Sequence, residues 1–161
     1  MSAEQKVQNE GKHPRALPIL FFAEMWERFC FYGMRTILVL YMVNDFLGYN
    51  DEQAFHVYGS YNSLVYLTPI LGGLLADQLL GYRRSIYLGG IFMALGLFAL
   101  LIHNQFFFFG GLALIIVGNG YFKPNISTLL GKLYEDGDPK RDAGFGIFYM
   151  GINIGALTST L

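Results

Sequence analysis

The sequence predicts an all-α transmembrane protein, and three observations support this fold class. Apolar residues make up 53% of the 161 residues and charged residues only 14%, whereas soluble domains contain about a quarter charged residues. The apolar residues form four stretches of about 20 residues, the length that crosses a bilayer as a helix, and a fifth stretch follows. Positive charges recur at every second connection between these stretches, as in chains that cross a membrane repeatedly.

We expect a cytoplasmic N-terminal tail over residues 1–16 and an incomplete transmembrane bundle over residues 17–161. The tail is polar and leads into no short apolar core with a small-residue cleavage site, so it lacks the pattern of a signal peptide. The last helix is still apolar at Leu161, which indicates a fragment of a longer protein. The predicted helices cover residues 17–43, 54–76, 85–102, 106–130 and 144–161.

The connections predict the orientation in the membrane. The first and third connections contain no lysine or arginine, whereas the tail, the second and the fourth do. By the positive-inside rule, the N-terminus and the second and fourth connections face the cytoplasm. The missing targeting segment and the short connections favour a bacterial inner (plasma) membrane. The basic residues of the second and fourth connections are Arg83, Arg84, Lys132, Lys140 and Arg141.

Composition also excludes several classes of protein. A soluble helical bundle is disfavoured because soluble helices show a polar face, and no charged residue occurs between Ile86 and Leu101. The formal net charge of −1 gives no reason to expect a nucleic-acid partner. Cys30 is the only cysteine, so we expect neither a disulfide framework nor a cysteine-based metal site.

Charged residues inside the predicted helices point to a site. Each charge at the bilayer centre costs about 2.5–3.5 kcal/mol on insertion scales, whereas each large apolar residue returns only about 0.3–0.6 kcal/mol. Four such residues share the first helix, so its charged side must face protein or a wet cavity. The five ionisable residues are Glu24, Glu27, Arg28 and Arg35 on the first helix and Lys123 on the fourth.

Helical geometry places the charges of the first helix on one side. At about 100° per residue, the segment from Glu24 to Arg35 puts its charged residues within an arc of about 140° and over a depth of roughly 16 Å. A purely structural alternative is a network of ion pairs, with Glu24 bonding Arg28 along the helix and Lys123 bonding Glu27 across helices. Buried pairs stabilise poorly compared with apolar packing, so we expect the pairs to form and to break during a transport cycle.

This set of charges suits coupling between a proton and a solute. Burial raises the proton affinity of a carboxylate and a nearby cation lowers it, so movement of Lys123 or Arg28 relative to Glu27 would link protonation to shape. Arg28, Arg35 and Lys123 also form a cationic region suited to a carboxylate, which arginine binds through two hydrogen bonds. We therefore expect a zwitterionic solute whose amino group needs acidic residues from another part of the protein.

The motifs resemble one known family in order and content. The segment EMWERFCFYG at residues 24–33 resembles the ExxERFxYYG signature of the proton-dependent oligopeptide transporters, a branch of the major facilitator superfamily. Three further regions resemble the second-helix and loop, fourth-helix and fifth-helix patterns of this family. They are YLTP at 66–69 with GLLADQLLGYRR at 73–84, GNGYFKPN at 118–125, and FYMGINIG at 148–155.

The resemblance implies a fold and a function. The fold would be the partial N-terminal six-helix bundle of a major facilitator, with four full helices and the start of a fifth. The function would be proton-coupled symport of di- and tripeptides, with protons as the coupling ion and no other cofactor. The partners would be the peptide, the lipid bilayer and the C-terminal bundle of the same protein.

The resemblance also implies site residues. Proton coupling would fall to Glu24, Glu27, Arg28 and Lys123. Peptide binding would fall to Tyr32, Arg35, Tyr66, Lys123 and Asn153, with Arg35 and Lys123 on the carboxylate side. The cytoplasmic gate would consist of Asp77, Arg83 and Arg84, although a plain ion pair between Asp77 and Arg83 is an equally good explanation of those two.

The sequence departs from the family pattern in two places. Phe31 stands where the signature has its first tyrosine, so one hydroxyl of the pocket is lost. The position of the second-helix histidine of mammalian members is Gly59 here, so His56 does not take that role.

Other functions remain open at this stage. The alternatives are a transporter of a non-peptide anion or another small solute, or a truncated membrane protein that does not transport. An intramembrane enzyme with Glu27 as a base is disfavoured because no nucleophile, metal cluster or phosphate loop accompanies it. Fewer than five complete helices cannot enclose a pathway, so we expect this region alone to bind weakly and not to transport.

Overall fold

The computed structural model describes residues 13–44 and 47–160, and every regular element in these ranges is helical. The predicted all-α class is therefore confirmed, while residues 1–12 of the predicted tail lie outside the described part. A five-residue π-helical turn, Ala76–Leu80, extends the second helix up to Gly81. The helices are α1 (Leu17–Asn44), α2 (Asp51–Leu75), α3 (Tyr82–Leu100), α4 (Gln105–Gly131) and α5 (Lys140–Thr158).

Three of the described helices are long and apolar enough to cross a membrane: α2 with its π-helical extension, α3 and α4. Helix α1 is long enough but carries its charges in the middle. Its burial pattern is inverted, because Glu24, Glu27 and Arg28 are buried while Ile19 and Leu40 are exposed. This arrangement suits a helix whose apolar side meets lipid or another helix and whose polar side faces the protein.

The helices pack as two sets. Helix α4 packs closely against both α2 and α3, and α5 packs closely against α1, whereas contacts between α1 and the α2–α3–α4 set are few. Glycines allow the close approaches. A Cβ atom at Gly89 would lie 2.6 Å from the Gly118 carbonyl oxygen between α3 and α4, and one at Gly155 would lie 2.2 Å from the Met25 oxygen between α5 and α1. Small residues serve the same purpose between membrane helices generally.

A proline shapes the contact between α2 and α4. Pro124 lies inside α4 and has no N–H, so the carbonyl of Gly120, four residues earlier, lacks its helical donor. That carbonyl faces α2, where a Cβ atom at Gly72 would lie only 2.0 Å from its oxygen. Asn125, next to the proline, donates to the Tyr121 oxygen at 2.7 Å and to the Gly72 oxygen at 3.4 Å.

Side-chain contacts identify which connections share an end of the bundle. His13 Nδ1 and the Tyr134 hydroxyl are joined by a 3.0 Å hydrogen bond, so the N-terminal segment meets the α4–α5 connection. Lys132 Nζ lies 4.0 Å from the centroid of the Tyr82 ring, which brings the α2–α3 connection to the same end. This is the end at which the sequence places the lysines and arginines of the connections.

The opposite end is joined by tyrosines. The Tyr41 hydroxyl donates to the Leu100 carbonyl oxygen at 3.1 Å, and Gln105 Nε2 donates to the Tyr49 hydroxyl at 3.3 Å. The α1–α2 and α3–α4 connections, which carry no lysine or arginine, therefore lie together. The structure thus separates the basic connections from the others, as the sequence pattern predicted.

Three helices start at least three residues earlier than predicted, and a capping box accounts for one of them. Helix α2 begins at Asp51 because Asn50 and Gln53 exchange side-chain and backbone hydrogen bonds in a capping box. Helix α3 begins at Tyr82, directly after Gly81 with its φ of +75°. Helix α5 begins at Lys140, whose N–H donates to Asp138 Oδ1 at 2.9 Å.

The last helix ends before the predicted position. It was predicted to continue to Leu161, which lies outside the described residues, but the described helix ends at Thr158. Hydroxyl groups bond the carbonyls of its last turn: Ser159 Oγ donates to the Ala156 oxygen at 2.7 Å and Thr160 Oγ1 to the Leu157 oxygen at 3.1 Å.

The contact at Gly72 gives a test of the packing. We expect Gly72→Ala to lower the melting temperature of the protein in detergent, because overpacking a close contact costs about 1–3 kcal/mol. The matched control is Gly59→Ala on the same helix, where an added Cβ meets nothing within 4 Å. That control should be neutral or stabilising, because alanine is favoured over glycine inside helices. Equal melting temperatures for the two variants would contradict the close approach of α2 and α4.

Candidate functional site: a buried carboxylate cluster beside exposed cations

A polar layer separates two apolar core clusters. Along α1, the buried residues Glu24, Glu27 and Arg28 lie between the apolar sets, and along α4 Asn119 does the same. We call these four residues the carboxylate cluster. One apolar core is formed by Phe31, Leu38, Met42, Ala54, Tyr61, Val65, Phe108, Leu112 and Ile115, and the other by Leu17, Leu20, Phe122, Ile126, Leu130, Tyr134 and Phe148.

Arg28 lies between the two carboxylates. Its Nε donates a hydrogen bond to Glu27 Oε2 and forms an ion pair with Glu24 Oε1 at 3.3 Å. The Glu24–Arg28 pair is the one predicted from their spacing of four residues. The exposed fractions of Glu24, Glu27 and Arg28 are only 3%, 8% and 4%. Both acids and the base are therefore withdrawn from the surface of the described chain.

Aromatic rings cover the guanidinium group of Arg28. Its Cζ lies 5.1 Å from the centroid of Phe31 and 5.9 Å from that of Tyr32. Phe31 is buried in the first apolar core. Phe31, which departs from the family signature, thus contacts the arginine of the cluster with its ring. Tyr32, a predicted binding residue, is the second ring beside this arginine.

Asn119 completes the cluster and was not predicted from the sequence. Its Nδ2 donates to Glu27 Oε1 at 3.3 Å, and its side chain is fully buried. The signal for it was available, because Asn119 precedes Lys123 by four residues and therefore shares its side of α4. Glu27 accepts hydrogen bonds on both oxygens, one from α1 and one from α4.

Lys123 is near the cluster but does not form the expected ion pair. Among the described residues, no ion pair within 4.0 Å joins Lys123 to Glu27. Its Nζ instead lies 5.5 Å from the centroid of the Tyr66 ring, while its charge still acts on both Glu24 and Glu27. The lysine is partly exposed and has a tyrosine face as its neighbour.

Arg35 on α1, like Lys123 on α4, lies beside a tyrosine ring. Its Nε donates to the Tyr58 hydroxyl at 2.6 Å, and its guanidinium carbon lies 5.5 Å from the centroid of that ring. The Tyr66 side chain is also close to Arg35 and is 61% exposed. Arg35, Tyr58, Tyr66 and Lys123 therefore form a continuous strip of cations and tyrosines, which we call the cation–tyrosine strip. Tyr58 was not among the predicted site residues.

One predicted binding residue lies apart. Asn153 is exposed on α5, and no hydrogen bond of its side chain occurs within the described part of the chain. Gly151 and Gly155 face α1, so Asn153, midway between them, lies on the opposite side of the helix. The described helices do not bring Asn153 to the carboxylate cluster.

The predicted gate residues are held differently from expectation. Asp77 accepts a hydrogen bond from the Tyr82 hydroxyl at 2.6 Å, whereas Arg83 and Arg84 are exposed at the start of α3. In the described part of the chain, no ion pair joins Asp77 to either arginine. Tyr82 also contacts Lys132 through its ring, so this tyrosine links α2, α3 and α4 at the basic end.

Tyr134 anchors the same end in another way. Burial raises the pKa of its hydroxyl, and the Asp138 carboxylate acts in the same direction. The hydroxyl therefore stays neutral and remains bonded to His13. A Cβ atom at Gly144 would lie 2.0 Å from this hydroxyl, which explains why a glycine stands there in α5.

A cavity beside the first helix is not the predicted peptide site. It has a volume of about 580 Å³ and lies between α1, α3 and α4. Its lining is almost entirely apolar, with Glu27 at one edge. Such a lining offers no partners for the charged ends of a peptide, so we assign no peptide to it. Within the described residues, no group of three potential metal ligands occurs.

Comparison with known proteins agrees with this architecture. The sequence profile described as "PTR2: POT family" matches residues 83–161. A di-/tripeptide transporter of Lactococcus lactis subsp. lactis (strain IL1403) is 48% identical over 155 residues, which cover 92% of this chain and 31% of the relative. The chain is thus similar in sequence to members of the POT family. Members of this family are transporters rather than enzymes.

Two further proteins are similar to this chain over most of its length. An uncharacterized transporter of Bacillus subtilis (strain 168) is 47% identical over 154 residues, covering 92% of this chain and 31% of the relative. The crystal structure of a POT peptide transporter in complex with sulfate matches with a TM-score of 0.88 and 41% identity, covering 99% of this chain and 35% of that one. The chain thus spans about a third of the length of the proteins it matches.

Removal of Arg28 tests the electrostatics of the cluster. We expect Arg28→Met to destabilise the protein by about 3–5 kcal/mol, because it leaves two buried carboxylates without their cation. The loss should shrink as the pH falls, since protonation removes the uncompensated charge. Addition of Glu24→Gln and Glu27→Gln should restore most of the stability. Arg84→Met, at an exposed site, is the control, and thermal unfolding in detergent is the measurement. A melting temperature for Arg28→Met equal to that of the control would contradict this account.

Proposed function

We propose that this chain is part of a proton-coupled symporter of di- and tripeptides. It would supply the proton-coupling residues and the side of the site that binds the peptide carboxylate. The observation that carries the proposal is the juxtaposition of a buried pair of carboxylates with the partly exposed cation–tyrosine strip. The names of the Lactococcus relative and of the matched crystal structure, both peptide transporters, support the choice of substrate.

The cation–tyrosine strip suits the carboxylate end of a peptide. Arg35 and Lys123 each contact a tyrosine, and within the described helices neither forms an ion pair with a carboxylate. Their positive charges are therefore available to an incoming carboxylate, which arginine binds with particular strength. The tyrosine rings add apolar surface with a hydroxyl at the rim, which suits a peptide of varied side chains. Tyr32 and Asn153 remain proposed binding residues at its margins.

Charge balance suggests how peptide binding and proton uptake are coupled. Glu24, Glu27, Arg28 and Lys123 carry two negative and two positive charges when all are ionised, so the group is balanced. A peptide carboxylate bound to Lys123 would pair with the positive charge of the lysine. Glu24 and Glu27 would then have only Arg28 as a counter-charge, which leaves one negative charge in excess. Because burial disfavours uncompensated charge, a proton would then be bound. The coupling ion is a proton, and we propose no further cofactor.

The remainder of the transporter completes this site. A C-terminal bundle of the same protein would supply acidic residues for the peptide amino group and close the pathway around the cation–tyrosine strip. The segregation of lysines and arginines to one end of the described bundle supports a cytoplasmic N-terminus by the positive-inside rule. Asp77, Arg83 and Arg84 would form the gate at that end, with Tyr82 holding Asp77. We place the protein in a bacterial plasma membrane.

Uptake into liposomes tests the proposal. The complete reading frame that contains these residues is reconstituted, and uptake of a labelled dipeptide is measured with and without an inward proton gradient. We expect gradient-driven uptake to fall at least tenfold in Glu27→Gln and in Lys123→Ala, which corresponds to about 1.4 kcal/mol or more. Glu135→Gln, an exposed acid outside the helices, should leave uptake unchanged.

Gradient-independent uptake in both variants and the parent would contradict proton coupling. A second candidate function is transport of a non-peptide anion or another small solute, which the partly exposed cations of the strip also allow. Competition assays decide between the two. Uptake of a simple carboxylate that dipeptides do not inhibit would favour the second candidate over the first.

A further inference from the structure

We propose that Asn119 is a positioning residue of the carboxylate cluster, which keeps Glu27 ionised and so directs the coupling proton to Glu24. This inference rests on the proposed function, because it assigns the proton to one of two acids in the proposed coupling group. It starts from the unequal hydrogen bonding of the two carboxylates, which share Arg28 but differ in every other partner.

Both oxygens of Glu27 are occupied by donors. Arg28 Nε donates to Oε2 and Asn119 Nδ2 donates to Oε1 at 3.3 Å. A guanidinium N–H and an amide N–H can only donate, so a proton on either oxygen would face another hydrogen. Hydrogen bonds of this kind favour the charged form of a carboxylate. The surroundings of Glu27 therefore suit a carboxylate and not a carboxylic acid.

Glu24 is held by one oxygen only. Its Oε1 lies 3.3 Å from Arg28 Nε in an ion pair, whereas its Oε2 is buried and has no hydrogen-bond partner among the described residues. An unsatisfied buried acceptor is destabilising, because it has lost its hydrogen bonds to water. A proton on Oε2 would turn this atom into a donor and remove the cost. The unequal bonding thus favours Glu24 over Glu27 as the protonated acid.

A matching acceptor lies within the same cluster. Asn119 Oδ1 is also buried without a hydrogen-bond partner in the described part of the chain. As an amide oxygen it can only accept, so it requires a donor. A protonated Glu24 would provide one within the carboxylate cluster, where Arg28 Nη2 is another buried donor without a partner among the described residues. Asn119 would then donate to the ionised Glu27 with its nitrogen and accept from the protonated side with its oxygen.

The backbone holds Asn119 in place for this role. The residue lies between Gly118 and Gly120, which meet α3 and α2 respectively. A Cβ atom at Gly118 would lie 2.7 Å from the Gly89 oxygen, and one at Gly120 would lie 2.9 Å from the Thr68 Cβ. Close contact on both sides fixes the backbone from which the amide projects, and such support is what a positioning residue requires.

The other ionisable groups around the two acids do not change the assignment. Arg28 faces both acids, and the charge of Lys123 from α4 also acts on both. From α2, Tyr61 faces Glu27, and its buried hydroxyl has no hydrogen-bond partner in the described part. Cys30 of α1 is the remaining neighbour of Glu27. Helix α5 contributes Gly155, which contacts Arg28 but cannot ionise. Within the described residues, Asn119 donates a hydrogen bond to Glu27 and none to Glu24.

Infrared spectroscopy of the complete, reconstituted protein tests the assignment without any peptide. The carbonyl stretch of a protonated buried carboxyl group is compared between variants at neutral pH. We expect Glu24→Gln to lose the band and Glu27→Gln to retain it. In the Glu24→Gln background, Asn119→Leu should restore a carboxyl band, because Glu27 then loses its second donor and can take the proton.

The control is a second buried asparagine of the same helix. Asn125 bonds only backbone carbonyls, so Asn125→Leu in the Glu24→Gln background should restore no band. Asn119→Ser, which keeps a small hydroxyl donor, replaces Asn119→Leu if that variant does not fold, and should restore a weaker band. Retention of the band in Glu24→Gln together with its loss in Glu27→Gln would overturn the assignment.

The spectroscopic result can be separated from the proposed function. If peptide uptake proves independent of protons while the bands behave as expected, Asn119 positions the proton but the symporter proposal fails. If uptake is proton-driven and Glu24→Gln retains the band, the symporter proposal stands and the role of Asn119 is refuted.

Discussion

The arrangement depends on one guanidinium group placed between two carboxylates in an apolar interior. Arg28 bonds both Glu24 and Glu27, and without it two acids would lie unpaired between two apolar cores. Its position determines which side of α1 faces inward, and consequently which apolar side chains of that helix face outward. Because burial of a three-membered ion group stabilises less than apolar packing would, its presence indicates selection for activity and not for stability alone.

The sequence predicted the first helix well because its chemistry is local. Glu24 and Arg28 are four residues apart, so helical geometry alone brings them together, and the structure contains that pair at 3.3 Å. The charged side and the apolar side of α1 follow from the same periodicity. The alternation of basic and non-basic connections predicted the grouping of the helix ends, because short connections between antiparallel helices leave only one arrangement.

Contacts between helices were predicted less well, because a single sequence does not contain their distances. Lys123 was expected to bond Glu27, but it lies over Tyr66 instead. Asn119 is part of the fourth-helix motif, and its spacing of four residues from Lys123 indicates its side of the helix, but that spacing does not say whether it bonds a carboxylate or a neighbouring backbone carbonyl. At the gate, only ion pairs were considered for Asp77, and its partner is the hydroxyl of Tyr82.

The two sets of helices have a mechanical consequence. Backbones in direct contact at glycines resist sliding and bending, so α2, α3 and α4 behave as one stiff body and α1 with α5 as another. The hydrogen bond from Asn119 to Glu27 crosses the thin seam between these bodies. A seam with few contacts is the most compliant part of a structure. The gain or loss of a single proton there changes one of the few contacts that join the two sets of helices.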